Sequence, residues 1–120
     1  MLQVYCYPKC STCAKAIKYL DDHHISYEYH NIKECPPSFD LLIKVIENNG
    51  YDLKKYFNTS GLVYKELELK DKFSSYTFDE LVEMLSKNGM LIKRPFLVNK
   101  YDVVLGFKEK EYVDFLNRIL

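Results

Sequence analysis

The sequence predicts an α/β fold: a four-stranded mixed sheet with helices on both faces and a helical insertion in its middle. Three observations carry this. The chain opens with a β-α-β-α pattern and closes with a β-β-α pattern. A Cys-x-x-Cys, Cys10-Ser11-Thr12-Cys13, sits at the first strand-to-helix junction. With 120 residues, 48% of them hydrophobic, the chain can build one real core, so residues 1–120 are read as one domain with a helical insertion over about 38–90.

The apolar run Leu2-Gln3-Val4-Tyr5-Cys6 reads as the first strand, with Leu2, Val4 and Cys6 on one face. Ser11 to about His23 is the first helix, in which Ala14, Ile17 and Leu20 recur at three-residue steps and share a face with Cys10 and Cys13. Ile25 to Ile32, β-branched and aromatic, holds the second strand. Pro36-Pro37 ends it. Ser38 then caps a helix running to about Asn49, with Gly50 as its stop.

The pattern weakens from Tyr51 to Phe73. Leu53 to Phe57 suggests a helical turn, Asn58-Thr59-Ser60-Gly61 a loop, and Tyr64 to Leu69 a further helix. Thr77-Phe78-Asp79-Glu80 is a capping box that starts a helix reaching about Asn88-Gly89. Phe96-Leu97-Val98 and Val103 to Gly106, joined by the turn Lys100-Tyr101-Asp102, form an antiparallel hairpin. A last amphipathic helix repeats Tyr112, Phe115, Leu116 and Ile119 at three- and four-residue steps. With the middle helices set aside as an insertion, the remainder is the thioredoxin-like (glutaredoxin-like) layout.

Formal net charge is zero, so nothing advertises a nucleic-acid or membrane partner, and no apolar run approaches the roughly 20 residues of a membrane span. Met1-Leu2-Gln3-Val4 has neither a basic nor a long apolar leader region, which predicts a cytoplasmic setting. Four clustered cysteines (Cys6, Cys10, Cys13, Cys35) do not make a disulfide framework at this length; in a reducing compartment the Cys-x-x-Cys reads as redox chemistry or metal binding.

A Cys-x-x-Cys at the start of a helix places its first sulfur among unpaired N–H groups and the positive end of the dipole, which favour a thiolate at Cys10. Cys10 then acts as nucleophile and Cys13, one turn in, as the resolving thiol. Lys9 adds positive charge, and Ser11 and Thr12 offer donors to a thiolate or a bound oxyanion. A structural zinc needs a second cysteine pair; Cys6 and Cys35 are not spaced as one, and His23, His24 and His30 lie outside ligand spacing, so no metal is expected. The strand-to-helix position also argues against two inert core thiols. Cys6 is read as core packing and Cys35 as a loop thiol.

In a thioredoxin-like layout the position before the hairpin strand holds a cis proline facing the redox pair. Pro95 stands there, and Arg94 would project towards Cys10 with a planar fork suited to an oxyanion or carboxylate. The alternative is a surface arginine and a trans strand entry. The polar loop Asn58 to Gly61 can line a substrate pocket or satisfy its own turn, and the three histidines read as surface residues.

Taken together, Tyr7-Pro8-Lys9-Cys10-Ser11-Thr12-Cys13, Phe57-Asn58-Thr59-Ser60-Gly61 with Tyr64-Lys65-Glu66-Leu67, Lys93-Arg94-Pro95 and Leu105-Gly106-Phe107 resemble the bacterial arsenate reductase / Spx family of thioredoxin-fold proteins over nearly the whole chain. The resemblance implies a reactive Cys10 and an oxyanion-binding Arg94. It places Asn58 and Gly106 where the glutathione/glutaredoxin-linked arsenate reductases carry two further arginines. Cys13 matches the Cys-x-x-Cys redox switch of the Spx branch. The expected activity is thiol–disulfide oxidoreduction, with arsenate or another oxidised substrate, no bound cofactor, and glutathione/glutaredoxin or thioredoxin as external reductant. The Spx branch implies an alternative, a redox-sensing transcriptional regulator that binds the RNA polymerase α subunit.

Overall fold

A computed structural model describes residues 1–50 and 52–120 of the chain; Tyr51, where the weak sequence pattern begins, lies outside them. Strand β1 (Leu2–Cys6) buries Leu2, Val4 and Cys6 and leaves Gln3 and Tyr5 half-buried, the period-two signature of a strand between unlike faces. Helix α1 (Ser11–Asp22), strand β2 (Tyr27–Asn31) and helix α2 (Phe39–Asn49) complete the opening unit. The insertion holds α3 (Leu62–Glu66), α4 (Leu69–Lys72) and α5 (Phe78–Lys87), with 3-10 turns at Leu53–Tyr56, Phe73–Ser75 and Gly89–Leu91. Strands β3 (Phe96–Asn99) and β4 (Asp102–Leu105) and helix α6 (Glu109–Ile119) close the chain.

The sheet order is β2-β1-β3-β4, with β1 parallel to β2 and antiparallel to β3, and β3 antiparallel to β4. This is the thioredoxin-like fold. Alternation along β3 divides the interior. Leu97 joins Leu2, Val4, Cys6, Cys13, Ala16, Leu20, Tyr112 and Phe115 on the face covered by α1 and α6. Phe96 and Val98 point the other way, into a core built from α2 and the insertion, α5 included.

Local chemistry sets the helix ends. Leu41 N–H donates to Ser38 Oγ at 3.1 Å, and Gly50, at φ +97°, ends α2. Glu80 N–H donates to Thr77 Oγ1 at 3.1 Å while Thr77 N–H donates to Glu80 Oε1 at 2.8 Å, a complete capping box.

Four details differ from the sequence reading. The buried stripe of α1 is Cys13, Ala16 and Leu20, and Ala14 is exposed, because steps of three and four from Cys13 hold one face whereas Ala14, the next residue along, is turned about 100° from it. Tyr64 to Leu69 is not one helix: Glu68, at φ +53°, separates α3 from α4. Tyr64 and Leu69 are both buried, yet five residues apart they would diverge by about 140° on one helix, so the chain turns to bury both. Strand β2 is shorter than Ile25–Ile32 because it pairs with only the five residues of β1. Asp102 belongs to β4, paired with Asn99, so the hairpin turn is Lys100-Tyr101, with Lys100 at φ +57°.

Candidate active site

The site begins where β1 runs out. After Cys6 the chain turns tightly, with Cys10 N–H donating to the Tyr7 carbonyl at 3.0 Å, and Cys10 becomes the N-cap of α1 in extended backbone. Its carbonyl accepts from Ala14 N–H at 3.1 Å. Cys10 is half-buried, and its side chain makes no capping bond to the helix backbone. Cys13 lies one turn below and is 2% exposed.

Tyr7 N–H donates to Cys13 Sγ at 3.5 Å. The Cys13 thiol is held down to about 6, chiefly by the neighbouring Cys6 thiol, then by Tyr7 N–H, the Cys10 thiol and the Arg94 charge, against the opposing effect of burial. Cys6 moves the other way, pushed up by the Cys13 thiol and by burial. All four cysteines are free thiols, and Cys35 is an exposed loop residue.

Cys10 and Thr12 open into a cleft of about 1000 Å³ whose opposite walls are the Asn58–Gly61 loop, Lys93 and Arg94, and the Leu105–Lys108 segment. An antiparallel bridge between Phe57 and Ile92 brings the polar loop beside the arginine, reinforced by Lys93 N–H to the Tyr56 carbonyl (2.9 Å) and Asn58 N–H to the Leu91 carbonyl (2.7 Å). The loop therefore both lines the cleft and satisfies its own turn, through Gly61 N–H to the Asn58 carbonyl at 3.0 Å.

The guanidinium of Arg94 lies over the Tyr7 ring, 5.6 Å from its centroid, and Nη1 donates to Met90 Sδ at 3.4 Å. Its buried Nε–H has no hydrogen-bond partner among the described residues, an uncommon arrangement for a charged donor. The Arg94–Pro95 peptide bond is cis. Pro95 is buried behind the cleft wall, and its carbonyl accepts Gly106 N–H at 2.9 Å. Gly106, at φ +72°, also offers its carbonyl to the buried Tyr112 hydroxyl at 2.8 Å; a Cβ there would lie 3.1 Å from Lys93 Cε.

Of the residues singled out from sequence, Cys10, Thr12 and Arg94 thus share one cleft, Cys13 lies beneath it, and Pro95 backs it. Ser11 does not line the cleft: as the first helical residue it is exposed. His23 and His24 are exposed, and His30 stacks on Tyr5. Among the described residues, no group of three or more His, Cys, Asp or Glu is arranged to hold a metal ion. Sequence reasoning missed Tyr7 as a donor and ring platform, Met90 as a partner of Arg94, and the contact of Cys6 with Cys13. Alternation places Cys6 on one face of β1 with Leu2 and Val4, the one available signal.

Paired thiols across the first turn of α1, beside an arginine and a cis proline on this sheet, define a thioredoxin-like protein of the cysteine-pair class. The ArsC family model matches residues 5–115, and the chain belongs to the ArsC family. It is 47% identical over 111 residues to YusI of Bacillus subtilis (strain 168), covering 92% of this chain and 94% of that protein. The global transcriptional regulator Spx of Streptococcus mutans is 29% identical over 118 residues, covering 98% of this chain and 85% of Spx. A crystal structure of a possible arsenate reductase from Streptococcus mutans UA159 superposes with a TM-score of 0.88 at 46% identity, covering 95% of this chain and 98% of that one. Among the described residues no helix is long and apolar enough to cross a membrane.

Proposed function

We propose that the chain is a cytoplasmic thiol–disulfide oxidoreductase of the arsenate reductase-related type, with Cys10 and Cys13 as its redox pair. The observation that carries this reading is the placement of an accessible sulfur at the α1 N-cap directly above a buried sulfur that receives the Tyr7 N–H. The Cys10 thiolate attacks one sulfur of a substrate disulfide; a mixed disulfide forms and the other substrate sulfur leaves as a thiolate. The Cys13 thiolate then attacks Cys10 Sγ and expels the second substrate thiolate. The substrate has gained two electrons and the protein holds a Cys10–Cys13 disulfide. An external thiol, glutathione with glutaredoxin or thioredoxin, returns it to the dithiol.

Arg94 orients an anionic part of the substrate. Its unpartnered Nε–H, on a side chain that lines the same cleft as Cys10, supports that role, and Thr12 adds a hydroxyl from the Cys10 side. Arsenate is a candidate oxidised substrate. With Asn58 and Gly106 in place of arginines, arsenate would lose two charge partners, so a larger disulfide with one anionic group suits the cleft better. The test is turnover of arsenate and of a disulfide with each thiol system, for the native chain and for Cys10→Ser. Loss of all turnover in Cys10→Ser is expected, and retained turnover would sink the reading.

The similarity to Spx along almost the whole chain supports a second reading, a redox-sensing regulator in which the Cys10–Cys13 disulfide alters docking to the RNA polymerase α subunit. Binding assays with the dithiol and disulfide forms separate the two: equal absence of polymerase binding in both removes the regulator.

A further inference from the structure

Arg94 carries the charge on which the proposed chemistry relies, yet no carboxylate among the described residues forms an ion pair with it. Two uncharged groups hold it instead. Its Nη1 donates to Met90 Sδ at 3.4 Å, and its guanidinium lies over the Tyr7 ring, 5.6 Å from the centroid. Arg94 lines the cleft, whereas Met90 and Tyr7 are not among the lining residues, so both reach the guanidinium from outside it.

The chain anchors both ends of the sulfur contact. Met90 N–H donates to Asn88 Oδ1 at 3.1 Å, and Leu91 N–H to the Asn88 carbonyl at 3.0 Å. The next residue back, Gly89, lies so close to the end of β2 that a Cβ would meet the Ile32 carbonyl oxygen at 1.8 Å. Arg94 is fixed through its neighbours: Lys93 N–H donates to the Tyr56 carbonyl at 2.9 Å, and the Pro95 carbonyl accepts Gly106 N–H at 2.9 Å. Met90 and Arg94, four residues apart, thus meet across the end of the Gly89–Leu91 3-10 turn and not along a helix.

We propose that Met90 is a positioning residue for Arg94: its thioether holds the guanidinium by Nη1 on the cleft wall without cancelling the charge that meets an anionic substrate. The proposal deepens the oxidoreductase reading and rests on Arg94 as the anion-orienting residue. A thioether is a weak, uncharged acceptor, so it directs a donor and leaves the cation unpaired. A carboxylate in its place would form a charge-assisted pair and compete with the substrate. Nη1 is the terminal nitrogen on the Cδ side of the guanidinium. Holding it leaves the opposite edge, Nε and Nη2, which takes a carboxylate side-on. The Nε–H of that edge is the donor without a partner among the described residues.

A packing role and a positioning role make different forecasts. Leucine keeps the volume and apolar character of methionine and removes the sulfur acceptor. The test is a double-mutant cycle in the intact chain, Met90→Leu against Arg94→Gln. It is read as the ratio of the reaction rates with anionic dithiobis(nitrobenzoate) and neutral dithiodipyridine, because a ratio cancels any change in the attacking thiolate itself. Met90→Leu is expected to lower the ratio by about fivefold, the scale of one modest hydrogen bond. In the Arg94→Gln background the same substitution is expected to leave the ratio where it was. Should Met90→Leu not fold, Met90→Ala removes the same acceptor with less volume. An unmoved ratio in Met90→Leu, or an equal fall in both backgrounds, would overturn the proposal. The Arg94→Gln arm separates the two levels. If Arg94→Gln lowers the ratio and Met90→Leu does not, the Met90 proposal alone falls. If Arg94→Gln leaves the ratio unchanged, Arg94 orients no anion and both fall.

Discussion

Gly89→Ala is a perturbation whose sign reverses the usual expectation. Replacing glycine by alanine in a helical turn ordinarily stabilises by up to about 1 kcal/mol. At Gly89, however, an added Cβ would lie 1.8 Å from the Ile32 carbonyl oxygen, 2.7 Å from its carbon and 3.1 Å from Ile32 Cγ1. Real Cβ atoms essentially never approach closer than 3.0 Å, so the 3-10 turn and the chain leaving β2 must separate by more than an ångström. Both parties are backbone, and no rotamer relieves the clash. Overpacking of this kind costs about 1–3 kcal/mol, and the rigid partners place Gly89→Ala at about 3 kcal/mol. In a domain of this size that lowers Tm by roughly 10 °C. The same shift reaches the cleft, because Met90 holds Arg94 and the Leu91 carbonyl holds Asn58. Urea and thermal unfolding followed by circular dichroism measure the loss. Gly61→Ala is the control, since its Cβ meets the Asn58 side chain first, at 2.6 Å, and that side chain can swing away. A Gly89→Ala variant no less stable than Gly61→Ala would refute the reasoning.

Three further outcomes are expected. Tyr112→Phe removes the hydroxyl that satisfies the Gly106 carbonyl and should cost about 1–2 kcal/mol, read by urea unfolding, while leaving thiol reactivity intact. Arg94→Gln should slow reaction with the anionic disulfide dithiobis(nitrobenzoate) by about 10-fold or more, the loss of one charge-assisted bond, and should slow neutral dithiodipyridine far less; equal effects on both reagents would contradict an anion-orienting role. The resolving step requires Cys13 as thiolate, and its thiol is held down to about 6. The rate of the second thiol release should therefore be flat above that pH and fall about tenfold per pH unit below it, as stopped-flow absorbance would record.

The sheet and the long helices were legible because their signals are local: alternation in Leu2–Cys6, the Ser38 cap and Gly50 stop, and the reciprocal Thr77–Glu80 bonds. The insertion was less so, since the break at Glu68 is imposed by burying Tyr64 and Leu69 together, a tertiary demand that no local pattern encodes. At the site, the cysteine pair announced itself by its position between strand and helix. The surroundings of Arg94 did not, because Met90 reaches it through a turn whose place is set by the Gly89–Ile32 contact, and the Asn58 loop arrives through the Phe57–Ile92 bridge. Cys6 was legible only as an inward-facing residue, on the face of β1 shared with Leu2 and Val4.

The central claim is that Cys10 and Cys13 close a disulfide when Cys10 has reacted. Peptide mapping by mass spectrometry after stoichiometric treatment with a small disulfide measures this directly. The account predicts a product lacking two hydrogens, with the bond mapped between Cys10 and Cys13. It also predicts that Cys13→Ser stops at a mixed disulfide on Cys10. A reagent adduct that persists on Cys10 in the native chain, or a bond mapped elsewhere, would contradict it.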